Sequence, residues 1–141
     1  MKLTRILAVG ACAAFALTGI TPSAFAADKE HAEKKEKTVV PETVEGIMEA
    51  IHKAHGELAE VVKAKKLADV HHKAFAVRDL ANALPAKVAA DKKARVEGSV
   101  KNIAKLAEDL DKTGDANNQA ATEANLKKLD GVLMALEKQV K

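Results

Sequence analysis

The chain has 141 residues and a formal charge of +3, with three phenylalanines, no tyrosine, no tryptophan and a single cysteine, Cys12. A nearly balanced charge with so few rings provides neither the basic footprint nor the stacking platform of a nucleic-acid binder. Downstream of Cys12 there can be no disulfide, thiolate metal site or covalent haem attachment.

Residues 1–26 read as a signal peptide. Lys2 and Arg5 form the positive start, Ile6 to Leu17 the apolar core, and Ala24-Phe25-Ala26 a small-x-small cleavage site. A membrane anchor needs ~20 apolar residues, and Thr18, Gly19, Thr21 and Pro22 interrupt this run too early. The expected product is a periplasmic protein that starts near Ala27, without a membrane span. Loss of Lys2 and Arg5 takes its formal charge from +3 to +1.

Residues 27–40 are dense in charge and lack an apolar face until Val39, so they read as a flexible arm, with His31 as a solvated linker histidine. From Pro41 the pattern is helical to the end of the chain. The first apolar spine is Val44, Met48, Ile51, His55, Leu58 and Val62, stepping alternately by four and three residues as a helix packed along its length does. Pro41 is placed in its first turn, and its end near Lys65-Lys66. The second spine is Leu67, Val70, Ala74, Val77, Ala81 and Leu84, with Asp69 as candidate N-cap and Pro85 as the break that opens the third helix. The third is Ala89, Val96, Val100, Ile103, Ala107 and Leu110, closed by Gly114 as a C-terminal glycine; the fourth is Leu126, Leu129, Leu133, Leu136 and Val140. Four helices joined this tightly predict an all-α, antiparallel up-down four-helix bundle over 41–141. Gly56, Gly98 and Gly131 fall inside helices, and read as surface or close-packing positions before they read as room for a ligand beside His55.

The chemistry-bearing side chains gather on the first two helices. Met48, His52 and His55 lie at i, i+4 and i+7 of one helix side. If the first turn is centred between Lys65 and Lys66, His52 is level with Asp79 and Glu60 with His71. Imidazole with carboxylate suits Zn²⁺ or Cu²⁺, and the Met48 thioether suits Cu(I). Met48 and Met134 are expected to share a layer. His52 and Glu60 are about 12 Å apart along the helix at 1.5 Å per residue, so His52 and His71 belong to separate partial sites. His71 and His72 are adjacent, so only one of them can face the bundle. Non-covalent haem fits less well, because the fourth helix offers Met134 but no histidine. An enzyme is not expected: there is no glycine-rich phosphate loop and no triad, and Ser99 is the only serine after residue 26.

The run from Ile47 to Leu84, followed by Pro85-Ala86-Lys87 and later by Val100-Lys101-Asn102-Ile103-Ala104-Lys105, resembles a set of small, largely uncharacterised exported helical-bundle proteins of bacteria. These tend to be encoded near heavy-metal efflux systems of the resistance-nodulation-division type. His52, His55, His71, Arg78, Asp79 and Pro85 are the positions that match. The resemblance carries no motif of established chemistry, but its setting beside efflux systems strengthens the reading of the histidines as a periplasmic metal-binding accessory for Cu or Zn, with an efflux-system or envelope protein as partner. On that reading His52 and His55 are the core ligands, Met48 or Asp79 completes the site, and His71 contributes to a second. The alternative is a metal-free structural or chaperone-like interaction module that associates with partners or as a homodimer. A third role is a pH switch at His55.

Overall fold

The computed structural model describes residues 38–141; the expected signal peptide and all but the end of the expected charged arm lie outside the described residues. The described residues contain four α-helices: α1 (Val44–Lys63), α2 (Val70–Asn82), α3 (Ala90–Asp115) and α4 (Gln119–Val140). None of them is long and apolar enough to cross a membrane.

Helix α1 starts later than Pro41. The Thr43 hydroxyl accepts from the Gly46 N–H at 3.1 Å, and this side-chain cap, not the proline, sets the boundary. At the far end Lys65 sits at φ 58°, its N–H donating to Val62 O and that of Lys66 to Val61 O. These two bonds make a Schellman stop with lysine in the place where glycine is usual. A 3-10 turn, Leu67–Asp69, then leads into α2. Asp69 does not cap: its backbone is already right-handed helical (φ −89°, ψ −7°) and its side chain bonds no helix N–H. The preceding turn takes over, with Val70 N–H donating to Leu67 O.

Helix α2 stops at Asn82, short of Leu84, and Pro85 does not open the third helix. It lies in a second 3-10 turn, Leu84–Ala86, and α3 begins at Ala90 after extended Ala89. Gly114 is not the stop of α3 either. Helix α3 runs on to Asp115, and Asn117 takes the left-handed position (φ 50°), with Asn117 N–H donating to Gly114 O and Asn118 N–H to Thr113 O. Asn118 then caps α4 through its side chain, which accepts from Ala121 N–H at 3.1 Å. Gly114 is buried for another reason. A Cβ there would lie 2.9 Å from Leu67 O and 3.3 Å from the Val70 Cβ, so the glycine lets α3 close on the α1–α2 connection.

Polar contacts between helices give their directions. Lys73 near the start of α2 meets Glu57 in the second half of α1 at 2.7 Å; His71 at the start of α2 meets Asp111 near the end of α3. Ser99 of α3 donates to Gln139 at the end of α4 (2.9 Å), and Gln119 at the start of α4 donates to Val62 O at the end of α1 (2.9 Å). Successive helices therefore run in opposite directions, and α4 returns to α1. The α1–α4 junction is closed more loosely than the three between sequential helices. The core between them holds Ile47, Ile51, Leu58, Val70, Val77, Ile103, Leu110, Leu129 and Leu136, all shielded from solvent, with Ala74, Ala81 and Ala107 as small spacers. Spine residues at the helix ends fare differently: Val44 and Val140 are half-buried, and Ala89, outside its helix, is exposed.

Candidate functional site

On α1 the three predicted donors differ in burial. Met48 is 7% exposed, while His52 stands at the surface. His52 Nε2 lies 3.9 Å from Glu137 Oε2 on α4, and Glu137 also receives Lys141 Nζ at 2.8 Å from the residue just past α4. The Lys141 hydrogen bond and charge hold the Glu137 carboxyl below its ordinary range, which keeps it ionised. His55, one turn on, is half-buried with Nε2 shielded from solvent and without a hydrogen-bond partner. Burial pulls its pKa below the usual 6.5; Asp130 on α4 opposes that shift and His52 adds to it.

The pairs expected between α1 and α2 do not form. Asp79 is held by its neighbour Arg78, Nε at 2.9 Å and a terminal guanidinium nitrogen at 2.8 Å, and the same guanidinium lies 4.1 Å above the Phe75 ring. His71 turns to α3, where its Nδ1 is 2.7 Å from Asp111 Oδ1, and its ring packs edge-on against Phe75 (4.5 Å) and His72 (5.2 Å). The expected heights are nevertheless close to right, because Glu57 and Lys73, nearly level on the same count, do meet. What differs is rotation about the helix axes: His52 faces α4, and His71 faces α3. Met134 also turns outward, 57% exposed, and shares no layer with Met48. Among the described residues no three His, Cys, Asp or Glu side chains converge to hold a metal ion. His52, His55 and Asp79 therefore do not converge as one site, and His71, expected in a second, pairs with Asp111 instead.

Where α1 and α4 part, a surface cleft of about 620 Å³ opens, lined by Val44, Glu45, Met48, Glu49, His52, Glu137, Val140 and Lys141. Its walls are apolar and its rim carries both signs of charge. Glu137, the α4 member of this site, escaped the sequence reading. Its signal was the spacing of Asp130 and Glu137, seven apart on one side of the last helix and facing the side that carries His55 and His52. No protein-family model matches the chain, and neither curated proteins nor solved structures yield a match to it.

Proposed function

We propose that this chain is an exported, non-enzymatic interaction module of the cell envelope that takes a segment of a partner protein in the α1–α4 cleft. The cleft is the observation that carries this reading. Its size falls within the ~300–1,000 Å³ usual for ligand sites, and it lies between helices of a bundle, a common place for them. Val44, Met48 and Val140 supply apolar wall, while Glu45 and Glu49 supply charge that would orient a basic flank of the partner. The test is protection of a thermally unfolding client enzyme from aggregation. Protection should persist in chelator and in His52→Ala, and should be lost in Val44→Glu with Val140→Lys. Equal protection by that double variant removes the cleft from the account, and no protection by the native chain removes the reading.

A second reading is a metal-handling accessory linked to heavy-metal efflux, as the resemblance to exported bundles encoded beside efflux systems implies. The observation favouring it is the His52–Glu137 pair, an imidazole and a carboxylate brought together from two helices. Titration of the protein with Zn²⁺ and Cu²⁺ separates the two readings. Stoichiometric binding favours the second, and client protection insensitive to chelator favours the first.

A further inference from the structure

Four histidines lie in the described residues. His71 Nδ1 is engaged by Asp111, the His55 Nε2 is enclosed, and His72, exposed, meets the His71 ring edge-on. His52 differs. Its side chain is 51% exposed, and its Nε2 faces a carboxylate of another helix that is itself 38% exposed. At 3.9 Å the two are too far apart for a hydrogen bond, and so are not satisfied by each other.

That spacing has a chemical meaning. Two donors on one tetrahedral Zn²⁺, with bonds of about 2.0–2.2 Å, stand roughly 3.3–3.5 Å apart. The pair must close by about half an ångström, which a rotation of the long Glu137 side chain covers without moving either helix. Both groups stand at the lip of the cleft, where solvent can fill the remaining coordination positions. Met48 also lines this cleft but is only 7% exposed, and the imidazole and carboxylate at the lip are the donors that suit Zn²⁺ or Cu²⁺.

Resting on the second, metal-handling reading, we propose that His52 and Glu137 form the protein half of a site for a borderline divalent cation, Zn²⁺ or Cu²⁺, bridging α1 and α4 at the lip of the cleft. A site with two protein donors and solvent is exchangeable, as a protein that passes an ion on requires. The ion also fastens the loosest junction of the bundle, so occupancy stabilises the fold by mass action.

The experiment is calorimetric titration of the purified protein with ZnCl₂ and with CuSO₄, with the melting temperature followed in parallel. One ion should bind, the melting temperature should rise, and H52A and E137Q should each weaken binding at least tenfold. Both side chains are exposed enough for the variants to keep their helical circular dichroism. H71A and D79N should bind as the native chain does. An ion whose affinity ignores H52A and E137Q, or follows H71A or D79N, overturns this site but leaves metal handling standing. No ion bound at all overturns both.

Discussion

His71 and Asp111 stand forty positions apart in the chain and meet at 2.7 Å, Nδ1 to Oδ1, across the junction of α2 and α3. The pair pins the start of α2 to the end of α3, close to where Gly114 lets α3 press on the α1–α2 connection. The bond is partly buried, so its net worth falls in the range of about 0.5–1.5 kcal/mol. Asp111→Ala should lower the unfolding free energy measured in urea by that amount, and a double-mutant cycle with His71→Ala should return a coupling of similar size. A coupling near zero would mean that helix packing alone sets this junction.

Glycines provide the sharpest contrast. At Gly56, Gly98 and Gly131 an added Cβ meets nothing within 4 Å, so each Gly→Ala should stabilise by up to ~1 kcal/mol through helix propensity. At Gly114 the added Cβ would lie 2.9 Å from the Leu67 carbonyl oxygen, which is backbone and cannot rotate away. Gly114→Ala should therefore destabilise, by about 1–3 kcal/mol. Thermal melts of the four variants should split three against one.

The stop of α1 holds a lysine in a left-handed conformation, Lys65 at φ 58°. For a residue with a Cβ this costs roughly 1–2 kcal/mol, part of which glycine returns as unfolded-chain entropy. Lys65→Gly should raise stability by about 0.5–1 kcal/mol. Asn117→Gly, at the equivalent point of α3, should gain less, because asparagine tolerates the left-handed region. Equal gains at the two sites would contradict this ordering.

Acidification should weaken the bundle through His55. Burial lowers its pKa below 6.5 in the fold, against the raising influence of Asp130 and with the lowering influence of His52. The unfolded chain then binds the proton more readily than the folded chain. Stability conferred by the neutral ring is complete above about pH 6.5 and is lost as pH falls from there through the lowered folded-state value. Urea midpoints taken from pH 7.5 to 5 should fall in the native chain and fall less steeply in His55→Gln. Parallel slopes would assign the pH dependence to other groups.

Much of the architecture was legible from local pattern. Val70, Ala74, Val77 and Ala81 all face the core as their three-and-four spacing predicted, and so do Val96, Val100, Ile103, Ala107 and Leu110. That spacing works because a helix returns a side chain to the same face every 3.6 residues wherever the helix lies. Boundaries were less legible, since caps depend on backbone conformation: Thr43 displaced Pro41, and Asn117 displaced Gly114.

The candidate site was half legible. The sequence by itself determined that α1 would carry Met48, His52 and His55 along one side, because that is a property of a single helix. Which carboxylates they would face belonged to tertiary structure. Side-chain partners across a bundle depend on how each helix rotates to bury its own apolar stripe, and that rotation is settled only when all the stripes pack together. It turned His52 toward Glu137 instead of Asp79 and His71 toward Asp111 instead of Glu60, while Met48 went into the core.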